Sequence, residues 1–186
     1  MKAIINPTRQ ELDSRMKKDN LESYDKGKST NWEEQVRDRV FLGSLNYNRG
    51  YEAWVEGTKI VYEPDIIYHP LTSETLTREE YLKQGKEFFE SFDIEIQPFD
   101  NLLVEGDWVA IRFEAHFKGK PGAKFYGYDV SGKEAKMPLM EFIHYKYNPE
   151  PIGPRAQEGW AIMDSLSFMQ QLGIMPEGRI EGGTKE

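Results

Sequence analysis

The hydrophobic period of this chain changes once along its length, and that change limits the fold more than any other feature. Up to about residue 92 the apolar residues return at helical spacing. Val36, Val40, Phe41, Ser44 and Leu45 share one helical face, ended by Asn48-Arg49-Gly50. Tyr51, Trp54, Val55, Thr58, Val61 and Tyr62 form a second stripe, which Gly57 weakens. Tyr81, Leu82, Gly85, Phe88, Phe89 and Phe92 form a third, and Thr77 with Glu80 makes its capping box. Beyond it the period is two. Ile94 and Ile96 alternate with Glu95 and Gln97, and Val109, Ile111, Phe113, Ala115 and Phe117 alternate with Ala110, Arg112, Glu114 and His116. Glu105-Gly106-Asp107 reads as a hairpin turn between those segments. A short strand, Ile66 to Tyr68, is expected before the third helix, closed by His69-Pro70. A long strand from about Met137 to Tyr147 and a last one from Gln157 to Met163 follow. Asp164 then caps a short helix carrying Leu166, Met169 and Leu172, which Gly173 stops. Helices first and antiparallel strands after them predict an α+β domain.

At 186 residues the chain suits one domain with a real core. Ten Phe, ten Tyr and four Trp supply bulky material for that core or for a cavity wall. Residues 1–30 are polar, with no apolar period, and read as an arm; 31–178 hold the folded domain and 179–186 a tail. The absence of Cys excludes disulfides, thiolate metal sites and cysteine nucleophiles. A net charge of −8 argues against nucleic acid as a partner and favours a small hydrophobic molecule. No apolar run is long enough for a membrane span or a secretion signal, so a cytoplasmic location is expected. Gly27-Lys28-Ser29-Thr30 imitates the end of a phosphate loop, but position 22 is Glu where the first Gly should stand. The three His have no ligand spacing, so no zinc site is expected, and no serine nucleophile elbow is present.

Four segments carry a family resemblance in the same order. Gln157-Glu158-Gly159-Trp160-Ala161-Ile162-Met163-Asp164-Ser165-Leu166, continued by Gln170-Gln171-Leu172-Gly173, is similar to the closing signature of the SnoaL-like polyketide ester cyclases. Phe125-Tyr126-Gly127 with Gly132-Lys133 resembles the stretch before their long strand. Pro64-Asp65-Ile66-Ile67-Tyr68-His69 and Val104-Glu105-Gly106-Asp107-Trp108-Val109-Ala110-Ile111-Arg112 resemble their first strand and a hairpin. The resemblance covers residues 32 to 175. It implies the cone fold of the nuclear-transport-factor-like class, in which a curved antiparallel sheet wraps N-terminal helices around a pocket. It also implies a homodimer.

The family's chemistry, an intramolecular aldol closure without metal or cofactor, needs a carboxylate whose pKa a dry cavity raises towards neutrality. The resemblance places that carboxylate three residues before the Asp of a Trp-Asp pair. Here that position is Ala161, and Met163 stands in place of the Trp. Glu141 is the substitute, at a position resembling a pocket-facing one, with Ile143 and Tyr145 on its face by alternation. The plainer alternative pairs Glu141 with Lys136 or Lys146. His69, at the end of the first strand, is the second candidate for proton transfer. Trp54, Tyr68, Phe88, Phe113, Ile143, Tyr145, Ala161 and Met163 are the candidate ligand wall, with core packing as the alternative for the helical aromatics. His116 and His144 are expected on the outer sheet face, and Asp164 is expected to cap its helix. Two functions follow: a cofactor-free cyclase, isomerase or dehydratase of a small hydrophobic carbonyl compound, or a non-catalytic binding or assembly protein.

Overall fold

The computed structural model describes residues 32–70, 74–149 and 152–175. The arm expected over 1–30 and the tail over 179–186 lie outside these residues. Helix α1 (Trp32–Tyr47) and helix α2 (Tyr51–Val61) are joined at Gly50, whose φ of 92° only glycine adopts readily. The glycine in the second stripe has a packing reason. A Cβ at Gly57 would collide with the Asn46 amide, so Gly57 lets the two helices approach closely. Strand β1 (Tyr62–His69) continues directly from α2, and β2 (Phe92–Ile96) directly from α3 (Arg78–Ser91). The last residues of two expected helical stripes, Tyr62 and Phe92, are therefore the first residues of strands. The capping box of α3 is formed: the Glu80 carboxylate accepts from the Thr77 amide at 2.8 Å, and Thr77 Oγ1 accepts from the Glu80 amide at 3.4 Å.

Strands β3 (Asn101–Glu105) and β4 (Trp108–Gly119) form the hairpin expected at Glu105-Gly106-Asp107, with Gly106 at φ 59°. A small hairpin, β5 (Lys124–Phe125) and β6 (Tyr128–Asp129), precedes the long β7 (Glu134–Lys146) and β8 (Arg155–Met163). Helix α4 (Ser165–Gln171) follows, its first turn capped by Asp164 Oδ1, which accepts from the Ser167 amide at 3.0 Å. Its buried anchor is Phe168, while Leu166 is exposed.

The main sheet has the order β1-β8-β7-β4-β2, with β3 also on β4. It is mixed rather than wholly antiparallel, because β1 runs parallel to β8. Helix α3 and strands β2 to β7 lie between those two strands in the chain, so no hairpin constrains their direction. Pro64 is tolerated in β1 because that strand is an edge and its register slips between Tyr62 and Ile67. β2 pairs with one end of β4 and β3 with the other, so β4 has two short partners laid end to end. This break lets the sheet curl around the helices. Val109, Ile111, Phe113, Ala115 and Phe117 of β4, with Met137, Leu139, Ile143 and Tyr145 of β7, face inward and are buried.

Candidate active site

The inner sheet face and helices α1 to α3 enclose a cavity of about 300 Å³. Glu141 is the one charged side chain that lines it among the described residues; no Lys, Arg, His or Asp does. The opening is marked by the exposed lining residues Gln84, Tyr126 and Ser165. Trp54 forms part of the helical wall, and Gly85 of α3 makes room for it, since a Cβ there would collide with the indole. Most of the remaining lining is Phe, Ile, Leu, Val and Met, which gives the enclosure largely apolar walls.

Glu141 reaches this enclosure because strand parity puts it on the face of Leu139, Ile143 and Tyr145. It keeps some accessible surface only because it borders the cavity, and protein atoms surround it otherwise. Burial raises its pKa from 4.5 to about 7, and the Tyr68 hydroxyl, donating across 3.5 Å, opposes that rise weakly. The carboxyl is thus divided between acid and base near neutral pH, which suits a group that must both take and return a proton.

Tyrosines from four elements surround it. Tyr47 of α1 and Tyr81 of α3 share a hydrogen bond of 2.6 Å; Tyr62 and Tyr68 come from β1 and Tyr145 from β7. Burial pushes Tyr47 up to about 12 and Tyr62, Tyr68 and Tyr81 well above the ordinary tyrosine value, and the Glu141 charge adds to each rise. All four hydroxyls therefore stay protonated at neutral pH. The Tyr47–Tyr81 pair holds two protons and uses one within the pair, so the other can be donated to a ligand oxygen. Tyr145 contributes its ring; its hydroxyl is closed off in the wall, with no hydrogen-bond partner among the described residues.

Of the wall residues expected from the sequence, Trp54, Tyr68, Phe88, Phe113, Ile143, Tyr145 and Met163 line the cavity. Two expectations need correction. His69 lies outside the cavity lining: Tyr68 takes the inward position of β1, so alternation turns His69 outward. There it stacks on Trp160, ring centroids 4.9 Å apart, and bonds Glu158 at 2.9 Å. Ala161 is buried but not itself a wall residue, because it packs beneath Tyr68 and Leu76. Its place in the ladder is nevertheless informative. Ala161 of β8 is the direct partner of Glu141 on β7. Such partners have Cβ atoms about 5 Å apart on one face, so the carboxylate of this chain sits one strand away from the position the resemblance assigns it.

The other two histidines behave as expected. His144 faces outward, stacked on Trp108 at 4.2 Å and bonded to Asp107 at 3.0 Å, and His116 bonds Glu114. Among the described residues no cluster of three or more His, Cys, Asp or Glu is arranged to hold a metal ion. Sequence reading missed Tyr47, Tyr62, Tyr81 and Tyr126 as site residues. A tyrosine standing where a helical stripe otherwise carries phenylalanine, as Tyr81 does beside Phe88 and Phe89, was the available signal.

Comparison with known proteins agrees with this fold. A family description, SnoaL-like polyketide cyclase, matches residues 46–172. No curated protein matches the chain. Among solved structures, AclR of Streptomyces galilaeus, a candidate hydroxylase, is similar with a TM-score of 0.63 at 17% identity, covering 77% of this chain and 98% of its own. A candidate SnoaL-like polyketide cyclase from Jannaschia sp. has a TM-score of 0.63 at 18% identity, covering 80% and 98%. IdmH of Streptomyces antibioticus, a candidate polyketide cyclase, has a TM-score of 0.57 at 20% identity, covering 75% and 99%. At these identities the structures establish the cone fold and leave the chemistry to the residues of the cavity.

Proposed function

Because this chain belongs to the SnoaL-like polyketide cyclase family, we propose that it is a cofactor-free enzyme acting on a small hydrophobic carbonyl compound, with Glu141 as the general acid and base. The observation that carries this reading is a lone carboxyl, its pKa raised by burial to about 7, inside an apolar cavity and ringed by neutral tyrosine hydroxyls. Ionised Glu141 removes a proton from the carbon next to the carbonyl, and the electron pair moves onto oxygen as an enolate. Tyrosine hydroxyls donate to that oxygen, the site of developing charge. The enolate carbon then attacks a second carbonyl in a cyclase; in an isomerase a neighbouring C=C bond extends the enolate to a dienolate, whose far carbon takes the proton. Protonated Glu141 returns the proton. Sequestration from water strengthens each of these electrostatic contacts.

The second reading, a binding protein without turnover, is favoured by one observation: the family's acid position is Ala161, covered by Tyr68. One experiment separates the two. The test substrate is 2-tetralone, which has an acidic C1 position and no need of a partner molecule. In deuterated buffer the protein is expected to accelerate exchange at C1, followed by proton NMR. The rate should climb as pH rises through about 7, because the base form of Glu141 grows over that range. Saturable binding with exchange no faster than buffer would support the binding protein instead.

A homodimer formed through the outer sheet face is part of the same proposal. Met140, Phe142 and Ile162 are 54%, 46% and 62% exposed on the two central strands β7 and β8. Phe142 belongs to an aromatic group with Trp108, His144 and Trp160. An aromatic and aliphatic patch on a single sheet face is the kind of surface a two-fold partner covers. Phe142→Glu is expected to halve the mass measured by sedimentation equilibrium at micromolar concentration. A wild-type protein already monomeric under those conditions would sink the dimer.

A further inference from the structure

We infer that Tyr126 forms a ring-stacking subsite at the mouth of the cavity, built to hold the outer ring of a planar, multi-ring ligand. The inference rests on the pocket reading above and concerns a residue outside the proton-transfer chemistry. Tyr126 stands at the tip of the β5–β6 hairpin, where Phe125 pairs with Tyr128 across a two-residue loop. Both loop residues have positive φ, 49° at Tyr126 and 82° at Gly127. This is the pattern of a type I′ turn, whose first position favours Asn, Asp or Gly. Gly127 fits its place. Tyr126 is the one non-glycine residue at positive φ among those described, and a bulky side chain is disfavoured there.

Within the hairpin the Tyr126 ring packs only on its neighbour Phe125, which leaves most of its surface uncovered. The ring is 68% exposed, so it does not anchor the turn. It does border the cavity opening. It is also the outer end of an aromatic path: its centroid lies 4.4 Å from Phe125, which lies 5.0 Å from Phe88 in the cavity wall. A residue that is unfavourable for its turn, solvent-exposed and continuous with an apolar wall is placed for something that arrives from outside. The surface offered is a flat, polarisable face at the end of a tunnel of rings. Its complement is a flat ring protruding from the mouth, one too long for the cavity to enclose.

The test measures unliganded stability and ligand affinity together. The probes are anthrone, a three-ring ketone, and 2-tetralone, a two-ring ketone, each titrated by tryptophan fluorescence. Y126N installs the residue type that the turn favours. It is expected to raise the melting temperature of unliganded protein by about 2 °C and to weaken anthrone about tenfold, with a smaller loss for 2-tetralone. Y126F, which keeps the ring, is expected to bind both ketones as wild type does. A fall in melting temperature on Y126N would overturn the inference, since the ring would then be holding the hairpin. Tight anthrone binding unmoved by Y126N would overturn this inference alone. A wild-type protein that takes up neither ketone overturns the pocket reading and the subsite with it.

Discussion

Glu141→Gln is expected to leave 2-tetralone bound and to reduce its C1 exchange by about a thousandfold. The substitution is nearly isosteric, so the cavity keeps its shape, and the new amide oxygen can still accept from the Tyr68 hydroxyl. What disappears is the only group able to accept a proton at neutral pH among the described residues that line the enclosure. No His, Lys or Asp side chain among the described residues lines the cavity to take its place. The tyrosines cannot substitute, because burial, which the substitution leaves in place, holds their pKa values far above neutrality. Removing a positioned acid–base group costs about 10²- to 10⁴-fold in rate, and this site has no second group to soften the loss. Affinity is the control, since the apolar walls that supply most of it are unchanged. Exchange that survives in the Gln variant would place the base elsewhere and remove the foundation of the mechanism. Lost binding together with lost exchange would mean that the carboxyl holds the ligand rather than reacts with it.

The position of Glu141 was legible in the sequence because strands obey parity. Once Met137 to Tyr147 is read as one strand, Glu141 must share a face with Ile143 and Tyr145, and that face is inward. The same rule, applied to the first strand, turns His69 outward, since Ile66 and Tyr68 already claim the inward positions of β1. What alternation cannot supply is register. The pairing of Glu141 with Ala161 depends on how β7 and β8 slide past one another, and a shift at His144 and Tyr145 shows that the ladder is not uniform. The tyrosine ring was illegible for a related reason. Tyr47 and Tyr81 meet from helices 34 residues apart, which is a fact of tertiary packing rather than of any local period. The parallel placement of β1 was hidden too, because no turn joins it to β8. The capping box at Thr77, by contrast, is purely local and was readable as such.

The stability of the protein is expected to fall as pH rises from 4.5 to about 7, and Glu141→Gln is expected to remove most of that fall. The folded protein releases the Glu141 proton at about 7, whereas the unfolded chain releases it at the ordinary 4.5. Below 4.5 both states hold the proton and the group is neutral towards stability. Between the two values the unfolded chain has lost its proton while the folded one keeps it, so rising pH favours unfolding. Above about 7 both are ionised and the penalty is constant. The full displacement corresponds to about 3 kcal/mol, reduced to the extent that water entering the mouth solvates the carboxylate. For a chain of this size that is about 8 °C in melting temperature. Other carboxylates contribute their own pH dependence in a chain of net charge −8, so the informative quantity is the difference between variant and wild type. Thermal denaturation followed by circular dichroism at pH 4.5 and pH 8 measures it. The Gln variant should gain on wild type by several degrees between the two pH values. A constant difference would mean that Glu141 titrates as an ordinary surface carboxylate, and the cavity would then be too wet for the chemistry proposed. A gain of the expected size would mean that the folded chain carries a destabilising charge at its centre, which a site selected only for binding an apolar ligand has no reason to keep.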